Sequence, residues 1–332
     1  MKALYFPAKD EVVVGEKPAP KALENTVVVK VRASGLCHTD IDVMRSNYGS
    51  SAFPVIPGHE YAGEIVEVGA NVEGFSIGDR VVIDPNLECG SCEACDRGWA
   101  HLCENLGAYG VTEDGGFAEY SVVRSDRIHP IGDMPYDLAA LAEPMGCILN
   151  GLSPIRDRLI ERAVIFGTGP MGLLMGLALK ARGVPSVTMV DLDPARLDLA
   201  RSLGLSAVLS GADELDRRKR KFDLSVDATG VVKVAEGLID YTANGGVISF
   251  FGVCPKTSKI EISPFEVFRR QLTLIGTHSL NHNIPEALDV IQTIGPAIQA
   301  LVTHRLSYDE IAQVMSGAKI SGSLKIQVQA LD

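Results

Sequence analysis

Up to about residue 150, short apolar runs rich in β-branched residues alternate with Gly, Pro and Asp. TVVVKVRA from Thr26, YAGEIVEVG from Tyr61, DRVVI from Asp79 and FAEYSVV from Phe117 carry the pattern. It predicts a compact all-β unit with turns. The pattern then changes. AVIFGTGPMGLLMGLALKARG from Ala163 reads as strand, glycine turn and helix, and SVTMVDLDPARLDLARSLG from Ser186 as strand and helix. FDLSVDATG, GGVISFFGV and LTLIGTHS read as further strands with helical segments between them. Strands alternating with helices predict parallel βαβ units in a doubly wound sheet. Beyond about residue 285, EALDVIQTI and YDEIAQVMSGA predict amphipathic helices, and SLKIQVQA a closing strand. The resulting division is 1–148, with a distinct lobe at 86–105, then 149–284, and a C-terminal segment, 285–332, expected to return to the first domain. No internal repeat or low-complexity segment interrupts it.

Composition narrows the class of function. With 332 residues, 46% hydrophobic and 22% charged, the chain suits about two domains with a real core. A formal net charge of −11 opposes binding to nucleic acid or to an anionic membrane surface. The one basic run, Arg217 to Lys221, reads as a solvated face. The opening MKALYFPAKDEVVV lacks the apolar core of a signal peptide, and no segment reads as a membrane span. Seven cysteines, an odd number dominated by one cluster, fit a reducing compartment, so the cytoplasm is expected.

That cluster is the strongest chemical signal. Cys89, Cys92, Cys95 and Cys103 stand in CGSCEACDRGWAHLC, and four thiolates so close in sequence can converge on one tetrahedral ion. Zinc is the expected occupant. Four protein ligands leave no open position, which predicts a structural site that orders its own loop.

The glycine turn is the second signal. Gly167, Gly169, Pro170, Met171 and Gly172 lie between an apolar strand and a helix, where a dinucleotide pyrophosphate can meet backbone N–H groups. Asp191 ends the next strand at the spacing that places a carboxylate on the adenosine ribose. That carboxylate would repel a 2′-phosphate, and Leu192 and Asp193 offer no compensating cation, so NAD is expected over NADP. Arg196 could flank the adenine.

A third constellation is scattered. Cys37 in GLCHTD, His59 and Glu60 in PGHE, and Glu143 in LAEP supply thiolate, imidazole and carboxylate. Such a mixture suits zinc with one position left for water or substrate. GLCHTD, PGHEYAG, FSIGDRV, the cysteine lobe, GGFAEY, GTGPMG and VDATG occur in this order along nearly the whole chain. In this the chain resembles the zinc-dependent medium-chain alcohol and polyol dehydrogenases. The resemblance implies a GroES-like catalytic domain, a Rossmann coenzyme domain and a catalytic zinc in the cleft between them, in a homodimer or homotetramer joined through Rossmann-sheet edges.

Position by position, the resemblance places zinc ligands at Cys37 and His59, with Glu60 and Glu143 binding directly or through water. A glutamate at Glu143 is the polyol and threonine-type signature, where simple alcohol dehydrogenases usually have cysteine. Thr39 matches the hydroxyl that bonds the substrate oxygen and accepts its proton, and Asp40 the carboxylate that orients the ligand histidine. Cys37 and one glutamate already cancel the charge of the ion, so one of the two glutamates is expected to act from outside its coordination shell. Phe251, Gly252, Val253, Thr277 and His278 match segments lining the nicotinamide. Some features depart from the pattern. Asp42 replaces a common relay histidine, and Ser279 and Leu280 stand where sorbitol-type enzymes hold the polyol, which leaves His278, Asn281 and His282 as polar substitutes. Cys147 and Cys254 read as buried and inert.

The expected activity is oxidation of a secondary hydroxyl of a sugar alcohol to the ketose, with hydride transfer to NAD. Threonine-type and simple secondary-alcohol dehydrogenases are the enzymatic alternatives. A crystallin-like dinucleotide-binding protein is the non-enzymatic one.

Overall fold

Strand Thr26–Leu36 organises the first part of the computed structural model, which describes residues 1–46 and 52–329. Its four valines are all buried, and Val27, Val29 and Val31 pack with Tyr61, Ile65, Val81, Ile83 and Val123. Along one edge it pairs with Glu60–Val68. The other edge is shared: its first residues pair with Tyr120–Arg124 and its last with Lys325–Gln329. Arg80–Ile83, Ile128–Pro130 and Val302–Leu306 complete a sheet of seven strands among the described residues. All pairings are antiparallel except that of Val302–Leu306 with Lys325–Gln329. A second core joins Leu4, Phe6, Val43 and Phe117 to Tyr308 and Ile311 of helix Tyr308–Met315. Ser307 and Glu310 close the start of that helix as a capping box.

The later part forms a sheet of six parallel strands among the described residues. Their order is Ser206–Leu209, Ser186–Asp191, Arg162–Phe166, Phe222–Asp227, Thr242–Phe250 and Thr273–Gly276. The strand order reverses at Arg162–Phe166, the switch point where such sheets bind dinucleotides. Helices Pro170–Ala181, Pro194–Ser202 and Val232–Tyr241 connect the strands. The basic run is exposed and locally paired, Arg218 with Glu214 and Lys219 with Asp216.

Two compact units result. One comprises Met1–Gly146, Leu280–Gln292 and Ile298–Asp332; the other comprises Cys147–Ser279 and Thr293–Ala297.

Two readings of the apolar pattern are corrected. The first part is not all β, because helix His38–Met44 follows the long strand and helix Ala142–Leu152 follows the last strands. The latter is buried nearly all round, so no exposed polar stripe marks it, and Met145, Ile148 and Leu149 are fully buried. A stretch of membrane-spanning length also exists. Helical residues Tyr136–Ile155 run for 20 residues at a mean hydropathy of 1.2, but 83% of the qualifying window is buried inside the protein, which makes it a core element. Cys147 and Cys254 are half-buried, not buried.

Candidate active site and metal centres

Three neighbouring strands bring the scattered residues together. Cys37 follows the end of Thr26–Leu36, and Glu60 opens its strand directly opposite Gly35. His59 precedes Glu60 and is 6% exposed. One ligand atom from each of Cys37, His59 and Glu60 lies within 4.8 Å of the others. Thr39 is at the same place, with the Cys37 thiol 3.6 Å from its Oγ1.

Asp40 secures the arrangement. This fully buried carboxylate accepts from Cys37 N at 2.8 Å and from Gly58 N at 3.1 Å. Its Oδ1 also lies 3.2 Å from His59 Nδ1. That is a charge-pair distance, not an aligned hydrogen bond, and Nδ1 is otherwise a buried polar atom without a partner. Burial opposes the imidazolium, but the Asp40 charge and then Cys37 hold the His59 pKa well above the ordinary imidazole value. Thiol, imidazole and carboxylate converging on one point, with a second carboxylate behind the imidazole, fit a divalent metal such as zinc.

Glu143 is buried but does not belong to that close group. In its place the fold supplies a residue that motif reading missed. Lys325 opens the strand on the other side of Thr26–Leu36, and its Nζ donates to both carboxylate oxygens of Glu60. The two side chains are 4% and 1% exposed. Burial works against the Lys325 ammonium, yet the charges of Glu60 and Cys37, the bonds to Glu60 and the charge of Glu143 push its pKa up to about 12. The Glu60 carboxylate lies over Gly35, where a Cβ would collide with Oε2.

The thiol sulfurs of Cys89, Cys92, Cys95 and Cys103 also converge, within 4.8 Å of one another and without a disulfide. Cys103 Sγ accepts from the backbone N of Cys89 and of Asn105, each at 3.3 Å. The N–H of Ser91 and then Cys103 bring the Cys89 pKa down to about 6. Desolvation and then Cys92 push that of Cys95 up to about 11. Convergent sulfurs that already attract N–H donors fit a tetrahedral thiophilic ion. Asn281 and His282 serve this lobe. Asn281 donates to Gly98 O at 2.9 Å, and His282 lies 3.8 Å from Asp84 and 3.5 Å from Glu88, which is paired with Arg127.

In the other unit, Gly167 has φ +101 and Gly172 sits against the Gly167 carbonyl, so neither tolerates a side chain. At Gly169, by contrast, a Cβ would meet nothing within 4 Å. This open backbone at the start of helix Pro170–Ala181 fits a pyrophosphate. Asp191 braces the turn, accepting from Thr168 N at 2.7 Å, Leu192 N at 2.8 Å and Asp193 N at 3.0 Å. Arg196 lies 3.8 Å from Asp193. Buried Thr168 Oγ1 and Asp227 Oδ2 have no protein partner. Phe251 and Gly252 hang from Asp227 O, and Val253 is 92% exposed. Asn150, which no motif marked, donates to His278 O at 3.2 Å and Ser279 O at 2.9 Å and reaches Thr277 Oγ1 at 3.5 Å.

Comparison with known proteins identifies the family. The family described as alcohol dehydrogenase GroES-like domain matches residues 23–133, and that described as zinc-binding dehydrogenase matches residues 170–293. A D-altritol 5-dehydrogenase of Agrobacterium fabrum is 50% identical over 315 residues, 94% of each chain. An L-threonine 3-dehydrogenase of Shewanella frigidimarina is 31% identical over 98% of each chain. The crystal structure of a zinc-binding dehydrogenase from Sinorhizobium meliloti bound to NADP superposes with a TM-score of 0.94 at 29% identity, covering 99% of both chains.

Proposed function

This chain belongs to the zinc-dependent medium-chain alcohol and polyol dehydrogenase family, and on that premise we propose that it oxidises a secondary hydroxyl of a sugar alcohol resembling D-altritol. The product is the ketose, and the hydride acceptor is NAD. The convergence of Cys37, His59 and Glu60, supported by Asp40, carries the proposal. Half-identity to a D-altritol 5-dehydrogenase favours a polyol over threonine. The sequence agrees, since no tryptophan follows GLCHTD and Trp99 belongs to the cysteine lobe.

Cys37 and His59 would hold the catalytic zinc, with Glu60 and Glu143 as nearby carboxylates, and Cys89, Cys92, Cys95 and Cys103 would hold a second, structural zinc. When bound, the catalytic metal supplies Lewis acidity toward the substrate oxygen and the dinucleotide supplies a hydride acceptor. Asp40 holds the His59 ring with Nδ1 turned toward itself, leaving Nε2 for the ion. Thr39 Oγ1 would accept a hydrogen bond from the substrate hydroxyl and relay its proton, releasing the Thr39 hydroxyl proton toward solvent as it takes the new one. Asp42, which stands in place of the relay histidine, lies 3.8 Å from His38 on the same helix.

The Asp191 carboxylate supports NAD over NADP. Three backbone N–H groups fix the carboxylate at the ribose position, where a 2′-phosphate would meet like charge. Thr273–Gly276 is an unpaired sheet edge in the described chain, and Phe265 and Phe268, 65% and 80% exposed, lie just before it in sequence. Both observations support a homodimer through this edge. The free thiols support a cytoplasmic setting.

Following NADH formation with zinc-loaded protein against alditols including altritol, inositols, threonine and simple alcohols tests the activity. Turnover confined to threonine or simple alcohols would refute the polyol assignment. Asp191→Asn should raise the NADP-to-NAD ratio of kcat/KM, and an unchanged ratio would refute the ribose contact.

A further inference from the structure

The sheet register presents a choice to one carboxylate. Glu60 lies within 4.8 Å of the Cys37 and His59 donor atoms, yet both its oxygens accept from Lys325. Neither side chain can escape to water, at 1% and 4% exposure. We propose that Lys325 is a positioning residue that competes with the metal for the Glu60 carboxylate and thereby keeps one metal position open to substrate.

This inference rests on the reading of Cys37, His59 and Glu60 as a metal site. Charge supports it. Cys37, Glu60, Asp40 and Glu143 bring four potential negative charges to this buried region, more than a divalent ion cancels. Lys325 is a buried cation that offsets part of this charge, and its ammonium donates to both oxygens of Glu60. A carboxylate shared with a buried ammonium is a weaker ligand, because full transfer to the metal would strand Lys325 unpaired in the interior. The backbone makes the sharing possible. Glu60 and Lys325 sit on opposite sides of Thr26–Leu36, and the carboxylate crosses that strand at Gly35, the one point without a side chain to block it.

The test uses full-length protein with cobalt(II) in place of zinc at the Cys37 site and zinc retained in the cysteine lobe. In Lys325→Met, Glu60 should bind the metal fully. Cobalt release to a chelator should slow by about tenfold, and the visible spectrum should stop responding to added imidazole. Lys325→Arg should restore parent behaviour. Unchanged or faster release in Lys325→Met, with the imidazole response intact, would overturn the proposal. If that variant does not fold, Glu60→Gln decides. Release close to that of the parent supports the proposal, since Lys325 already draws Glu60 away. Release as fast as in Cys37→Ser overturns it, because Glu60 is then an ordinary ligand. A parent cobalt spectrum that is insensitive to Cys37→Ser is a separate result, which removes the metal site itself and the role of Lys325 with it.

Discussion

The two clusters of metal-type ligands are opposites in construction. The cysteine lobe draws four like donors from 15 consecutive residues, Cys89 to Cys103, and part of it is open to solvent. The site at Cys37 draws three unlike donors from two strand ends, is largely buried, and depends on Asp40 and Lys325, which are not themselves in the donor group. Four thiolates would saturate a tetrahedral ion in the lobe and leave it a stabilising role alone. The other site has fewer donors and a charge balance shared with a lysine, which is the arrangement that leaves room for a reacting oxygen.

The sharpest way to break this contrast is to remove a donor from each cluster. Cys37→Ser should cost about a thousandfold or more in kcat, the equivalent of several kcal/mol of metal assistance. A variant still active within tenfold of the parent would place the chemistry elsewhere. Asp40→Asn should cost about 10- to 100-fold in metal affinity or turnover, measured as metal content after dialysis alongside kcat. No loss would mean that the ion pair behind His59 is only structural.

Acid should empty the Cys37 site. The metal displaces the proton on His59, and the raised imidazole pKa makes that proton harder to displace as pH falls. Metal content measured against pH should therefore begin to drop at a higher pH than an unperturbed histidine would give, and Asp40→Asn should move that drop downward. In metal-free protein the sign reverses. The stabilisation from the His59–Asp40 pair is fully present below an ordinary imidazole pKa and is lost as pH rises through the raised one.

Cys92→Ser should lower the melting temperature clearly while changing kcat per folded molecule little, because the lobe contributes through metal-coupled folding. An unaltered melting temperature would argue against a metal in the lobe. The smallest effect belongs to Arg97→Ala. Its pair with Glu93 is exposed on both sides, so stability should shift by less than about 1 kcal/mol.

Motifs whose parts are close in the chain were legible without a structure. The cysteine run and the glycine turn each lie within one loop or one strand-to-helix turn, and local backbone geometry is enough to bring their atoms together. The Rossmann strands were legible because their apolar runs are short and punctuated. Helix Ala142–Leu152 was not, because a helix buried nearly all round offers no exposed polar stripe to read. Period-two reading misleads at the closing strand, since SLKIQVQA suggests a polar face containing Lys325 and Gln327, yet these residues are 3% and 1% exposed.

By itself, then, the sequence determined the division into a β-rich part and a doubly wound part, the sulfur cluster, the dinucleotide turn and the candidate ligands Cys37, His59 and Glu60. Only the tertiary structure decided that Glu60 is shared with Lys325 across 265 residues of chain, that Glu143 stands outside the close group, and that Asn281 and His282 serve the lobe. The physical reason is strand register. Which residue faces which across a sheet depends on pairings between distant segments, and neither spacing nor periodicity within one segment records them.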